Sequence, residues 1–353
     1  MERMKVFSRP SLDADRRFCY RTAVAKGRIA RISGKVSGLW TDQREVAMAL
    51  NGVLRPGYIQ IRVTDLDAAL THYVDRVGLH EVSREADGRV YLRAWDEFDR
   101  HSIVLRQADK PGMDYAGFKV GSDSDLDTFA RRIKEQGIKV EEVAAGEQPG
   151  LGRRLSFIVP SGHRIELFSE MALSDDGPMT RNPELWREEP HGMRVTRYDH
   201  CNLHGPNIDQ VAEFFTEVLD FSLTEAAETP DGIAAAFLSC SNKAHDIAFI
   251  RRADPAKFHH VAFSLDSWHE VGQAADIIAR YDIPLDIGPT RHGITRGQTI
   301  YFFDPSGNRN EVFAGGFIYY PDNPKRVWSM DKIGKAIFYY QRELNERFMS
   351  VVT

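Results

Sequence analysis

The sequence predicts an α+β fold of four βαβββ modules paired into two domains. Three observations carry this. Short alternating strands enclose one amphipathic helix per unit. The unit returns four times at intervals of roughly 55 to 60 residues. A length of 353 residues suits two cores better than one. The division expected is a basic, weakly periodic extension over 1–50, a first pair of modules over 51–175, and a second pair with a helical tail over 176–353.

Residues 1–47 hold 11 Lys and Arg against 5 Asp and Glu and show no compact element. They read as a loosely packed extension or as a translation start placed ahead of Met48. Order begins at "RPGYIQIRV" (55–63), where apolar and polar residues alternate as in a strand. "DLDAALTHYVDRVG" follows as a helix with an acidic cap and a terminal glycine. "LHEVSRE", "RVYLRAW" and "HSIVLRQ" complete the first unit as strands. The second runs from "YAGFKV" through helix "SDLDTFARRIKEQG" to "RRLSFIVP" and "RIELFSE". The third runs from "HCNLHG" through "NIDQVAEFFTEVLD" to "AAAFLSCS" and "HDIAFIRR". The fourth runs from "HVAFSL" through "WHEVGQAADIIARYD" to "QTIYFFD" and "RNEVFAGG". Units two and four share a "PSG" corner; units one and three share "HSIVLRQAD" and "HDIAFIRRAD".

Composition bounds the function. A net charge of −5, with the acidic excess in the globular body, argues against nucleic acid as a partner. No apolar run is long enough to span a membrane, and no signal peptide is evident. Three cysteines make no disulfide framework and suit a reducing cytoplasm.

Strand parity selects candidate ligands. In "KFHHVAFSL" (257–265), His259 shares a face with Val261, Phe263 and Leu265, where the helix is expected to pack. His260 shares the opposite, small-residue face with Ala262 and Ser264. In the third unit His200, Asn202 and His204 oppose Cys201 and Leu203. His200 and His260 therefore hold equivalent positions and point into one cavity. Glu311 lies in the closing strand, where a buried carboxylate needs a partner. Two histidines and one carboxylate form the facial triad of non-haem Fe(II) enzymes. The first two units have Tyr58, Tyr115 and Glu166 at these positions, so that half is not expected to bind metal. His259 and His204 are expected to be structural.

From about Gly52 onward the chain closely resembles the catechol 2,3-dioxygenases, extradiol ring-cleaving enzymes of the vicinal oxygen chelate group. The resemblance rests on "RPGYIQIRV", "GRVYLRAW", "RYDHCNL", "KAHDIAFI", "FHHVAFSL", "DIGPTRHGITRGQTIYFFDPSGNRNEVF" and "KAIFYYQRELNERFM". It implies the glyoxalase-like fold, with curved, partly closed mixed sheets. It implies His200, His260 and Glu311 as iron ligands, His245 as the acid–base residue, and His292 and Tyr301 as hydrogen-bonding partners of substrate or oxygen. Phe237, Ile250, Ile294, Ile337 and Phe348 would line the ring pocket. The implied reaction is extradiol cleavage of catechols by O₂ at Fe(II), giving 2-hydroxymuconate semialdehydes, in a cytoplasmic homotetramer. Mn(II) stays as the alternative metal, since the same ligands suit both. A metal-dependent isomerase or epimerase of this fold, or a small-molecule sequestering protein, are the competing readings.

Overall fold

In a computed structural model the described residues are 52–174 and 189–353. The extension over 1–50 and the boundary near 175 lie outside them, as does Cys19. Two mixed sheets carry the fold, one in each half of the described chain, and each is two βαβββ modules joined edge to edge through their first strands.

The first module comprises β1 (Val53–Val63), helix α1 (Leu66–Leu70), β2 (His80–Arg84), β3 (Val90–Arg93) and β4 (Ile103–Gln107). The second comprises β5 (Gly112–Val120), α2 (Asp123–Glu135), β6 (Val140–Val143), β7 (Arg154–Ile158) and β8 (Arg164–Phe168). Their sheet has the order β2-β3-β4-β1-β5-β8-β7-β6. The third module comprises β9 (Arg197–Gly205), α3 (Ile208–Glu217), β10 (Ser222–Thr229), β11 (Gly232–Ser239) and β12 (Ile247–Arg251). The fourth comprises β13 (Lys257–Leu265), α4 (Trp268–Arg280), β14 (Leu285–Arg291), β15 (Gly297–Phe303) and β16 (Arg309–Gly315). That sheet has the order β14-β15-β16-β13-β9-β12-β11-β10-β17, with β17 (Arg326–Ser329) added at one edge. Two short helices follow, α5 (Ile333–Ile337) and α6 (Glu346–Ser350).

Local chemistry accounts for the helices. Ser122 caps α2 by accepting from the Asp125 amide, and Ser267 with Glu270 forms a capping box on α4. Asp65 caps α1, as expected, but the helix does not stay α. Residues Thr71–Val77 widen into a π-turn that ends at Gly78, which holds a left-handed φ of 96°. Both His72 and Tyr73 are buried and both reach the second half. The His72 ring meets Asn310 Oδ1 at 2.7 Å, and the Tyr73 hydroxyl donates to Asp304 at 3.1 Å.

One face of each sheet packs on its helices. There Ile59, Ile61, Ala116, Phe118, Cys201, Leu203, Val261 and Phe263 join a single apolar core. The opposite face of the second sheet holds a separate cluster that includes Phe237, Tyr301, Ile337 and Phe348.

The central strands align the modules residue by residue. His200 pairs with Ala262 and Tyr58 with Gly117; Glu311 pairs with Ala262 and Glu166 with Gly117. The expected equivalence of Tyr58 with His200, Tyr115 with His260 and Glu166 with Glu311 is the observed register. Gly117 is needed in the first half, since a Cβ there would stand 2.4 Å from the Tyr58 ring.

Candidate metal centre

His200 projects from β9, His260 from β13 and Glu311 from β16, three adjacent strands of the second sheet. All three side chains are buried. His200 Nε2 lies 3.1 Å and His260 Nε2 3.0 Å from Glu311 Oε2, and the two nitrogens are 3.4 Å apart. Among the described residues this is the one group of three His, Cys or acidic side chains close enough to hold a metal ion.

The surrounding hydrogen bonds fix which atoms face inward. His200 Nδ1 is 2.7 Å from Asp199 Oδ1, so Nδ1–H donates to the carboxylate and Nε2 is left for a ligand. Asp199 is in turn held by Ser264 and Lys243. Thr299 donates to Glu311 Oε1, while Oε2 has no hydrogen-bond donor seated on it. With both imidazoles neutral, two nitrogen lone pairs and one anionic oxygen converge, an arrangement that requires a cation. The donor set fits a divalent transition metal. Without one, a proton takes its place. Burial opposes charge on His200, but Asp199 and Glu311 outweigh it and push its pKa up to about 9. His260 is moved down to about 4, chiefly by burial. Metal binding therefore displaces a proton.

The remaining candidates surround this group. His245 precedes β12 with its ring centroid 4.0 Å from that of His200. Burial, reinforced by the charge on His200, holds its pKa well below the ordinary histidine range. Tyr301 on β15 lies 5.2 Å, ring to ring, from His260. Its hydroxyl is 2.8 Å from His292 Nε2, and His292 Nδ1 meets the Ile337 carbonyl. The carbonyl claims the Nδ1 proton, so Nε2 accepts from the tyrosine. Burial and the Glu311 charge hold the Tyr301 phenol well above its usual pKa, so it remains protonated. All of these residues line one cavity, together with Phe237, Ile250, Ile294, Ile337 and Phe348. Among the described residues no Lys or Arg lines it, and Glu311 is the single carboxylate there.

Two parity expectations meet different fates. His204 and Asn202 face the cavity with His200. His259 does not face the helix: it too lines the cavity, while Phe258 takes the core position. The cause is a β-bulge. Phe258 pairs with Leu203 and His260 with the adjacent Asn202, so His259 has no partner on β9. The extra residue turns consecutive side chains to one side. Asp199 and Thr299 carry no signal in the sequence. A short polar residue beside a ligand is too common a pattern to give one.

The first half holds the same constellation without the ligands. Arg154 occupies the position of Thr299, since Arg154 pairs with Phe168 as Thr299 pairs with Phe313. Its Nε lies 2.9 Å from Glu166 Oε2, which also accepts from the Tyr58 hydroxyl at 2.5 Å. A guanidinium thus balances the carboxylate that the second half offers to a metal. His101 stands where His245 stands, and burial lowers its pKa to about 4.

The chain is similar to known proteins over most of its length. Residues 113–172 match the catechol 2,3-dioxygenase-like N-terminal domain, and residues 197–312 match the glyoxalase/bleomycin resistance protein/dioxygenase superfamily. The metapyrocatechase of Pseudomonas sp. (strain CF600) is 50% identical over 86% of this chain and 99% of its own length. The manganese-dependent 2,3-dihydroxybiphenyl 1,2-dioxygenase of Geobacillus genomosp. 3 is 28% identical over 82% of this chain and 94% of its own. The crystal structure of the 2,3-dioxygenase LapB from Pseudomonas sp. KL28 superposes with a TM-score of 0.77. It is 44% identical and covers 80% of this chain and 99% of that one. A site of this construction, in a chain this similar over nearly the whole length of its relatives, belongs to the catechol 2,3-dioxygenase (metapyrocatechase) family of extradiol ring-cleaving enzymes.

Proposed function

We propose that the protein cleaves catechol and uncharged substituted catechols with O₂, opening the ring beside the two hydroxyls. The observation that carries the reading is the convergence of His200, His260 and Glu311 beside His245 and the Tyr301–His292 pair. The three ligands would hold Fe(II), with Mn(II) as the alternative that a manganese-dependent relative keeps open. A bound Fe(II) would supply neighbouring coordination positions for both catechol oxygens and O₂, and a path for electrons from ring to oxygen.

The protein's own groups do the rest. His245, neutral through burial, takes a proton from a catechol hydroxyl and later returns it to the oxygen that leaves. Tyr301 keeps its proton, resting on His292 Nε2, and would turn it from that nitrogen toward oxygen on which charge develops. Phe237, Ile250, Ile294, Ile337 and Phe348 hold the ring and exclude water. A carboxylated ring substituent would find no Lys or Arg among the described residues of the lining. Among the described residues no helix is long and apolar enough to cross a membrane. Self-association as a homotetramer in the cytoplasm belongs to the same reading. It is supported by apolar side chains exposed on the C-terminal segment, Ile318, Tyr320 and Val327.

The test is an aerobic assay of Fe(II)-loaded protein on catechol, following oxygen uptake and visible absorbance together. Matched oxygen consumption and a yellow product, both lost in His260→Ala, are expected. Iron-loaded protein that consumes no oxygen with any of several substituted catechols would refute the reading.

A further inference from the structure

The bulge on β13 has no role in the reaction as described, yet it brings a third histidine against the metal group. His259 is buried, and each of its ring nitrogens meets one partner. Nε2 lies 2.8 Å from the main-chain oxygen of Phe348, and Nδ1 lies 2.7 Å from Nδ1 of His260. A carbonyl oxygen brings no proton, so Nε2 carries the N–H. A neutral imidazole has only one, so Nδ1 is an acceptor. The proton between the rings therefore belongs to Nδ1 of His260, and His260 Nε2 is the bare nitrogen that faces Glu311. Arg309 disfavours a cationic His259, since its guanidinium donates to the His259 carbonyl and sits over the Phe348 ring.

We propose that His259 is a positioning residue of the metal centre, which accepts the Nδ1 proton of His260 and so keeps the His260 Nε2 lone pair on the metal. The proposal rests on the metal-centre reading above and adds a residue to it. The ring plane of His259 is fixed on its other side as well. His204 stacks on it at 4.5 Å with an interplanar angle of 9°. The segment that supplies the Phe348 carbonyl is itself anchored. Arg309 donates to the Val351 carbonyl at 2.8 Å, and Thr353 exchanges two main-chain bonds of 2.9 Å with Phe258.

The first half separates scaffold from function. Its central pair carries the same bulge, between Tyr115 and Met113 opposite Gln60 and Ile61, and the extra residue is Asp114. Asp114 also turns to the inner side, where it binds Gln60, Arg62 and Arg106. Arg62 occupies the place of His204, since Arg62 pairs with Gly112 as His204 pairs with Lys257. The bulge is thus a feature of the module. In the half without ligands it makes an ion pair, and in the half with ligands it makes an imidazole relay. The two histidine ligands are consequently unequal. His200 is backed by the Asp199 carboxylate and His260 by a neutral ring, so His200 is the stronger donor.

The experiment compares wild type with His259→Leu, which removes the acceptor, and His259→Asn, whose Oδ1 restores one. Metal affinity is measured by chelator competition with Mn(II), and anaerobically with Fe(II). The EPR spectrum of the Mn(II) form and the melting temperature of the metal-free form are recorded alongside. The expected result for His259→Leu is metal binding about 10–100-fold weaker with an altered EPR spectrum. His259→Asn should recover most of the affinity, while the two metal-free variants melt alike. His259→Leu protein that binds metal within twofold of wild type, with an unchanged spectrum, would overturn the proposal. So would His259→Asn protein that binds metal no better than His259→Leu. Wild-type protein that takes up neither metal would instead overturn the metal-centre reading, and the relay with it.

Discussion

Replacing Arg154 by methionine should leave a buried carboxylate without its counter-ion in the first half of the molecule. Arg154 and Glu166 are each 3% exposed, with 2.9 Å between Nε and Oε2. At that separation and an effective dielectric of about 20, the direct attraction is about 6 kcal/mol. Removing one partner of such a pair typically costs about 3–5 kcal/mol. The Tyr58 hydroxyl still donates to Glu166, which places the expected loss near the lower end. With a urea slope of about 3 kcal/mol/M, the unfolding midpoint should fall by about 1 M. Arg154→Met combined with Glu166→Leu should lose much less, because no charge is left without a partner.

The deficit should also depend on pH. Burial holds the Glu166 carboxyl above its ordinary pKa even beside Arg154, and loss of the guanidinium raises it further. The folded state then keeps a proton that the unfolded chain gives up, so stability falls as pH rises from the unfolded pKa through the folded one. Arg154→Met should therefore lie closer to wild type at pH 5 than at pH 8, with its metal content unchanged at both. A midpoint within 0.3 M of wild type at pH 8, or equal deficits in the single and double variants, would refute the argument.

Two predictions concern catalysis. Tyr301→Phe removes the hydroxyl that bonds His292, and kcat should fall by about 10²–10³ while KM for catechol changes little. An unchanged kcat from oxygen uptake would take Tyr301 out of the chemistry. Phe237→Ala should enlarge the cavity beside His245. The ratio of kcat/KM for bulky ring-substituted catechols over catechol should rise about tenfold or more. An unaltered ratio would place Phe237 outside the ring pocket.

Much of the centre was legible because strands write their faces into the sequence at period two, and because the module is written four times. Those two regularities led to His200, His260 and Glu311 without any long-range contact being known. They failed where the backbone departs from period two. Nothing in "KFHHVAF" marks the bulge at His259, since neither Gly nor Pro interrupts the run. The π-turn over Thr71–Val77 was hidden for the same reason, as "DLDAALTHYVDRVG" has ordinary helical spacing. Arg154 as counter-ion was illegible because its meaning lies in a strand pairing: alone, "RRLSFIVP" places an arginine in a strand and says nothing of Glu166.

Arg154 and the metal site solve one electrostatic problem in two ways. A guanidinium is made with the polypeptide and cannot diffuse away, so its carboxylate is matched once the chain has folded, whatever the medium contains. If the second half holds a metal as proposed, its carboxylate is matched by an ion drawn from solution, and the stability of that half should rise with free metal by mass action. Scarcity of metal should thus weaken the two halves unequally. One pair of modules would then serve as a permanent foundation, and the other would change its strength with the supply of the ion.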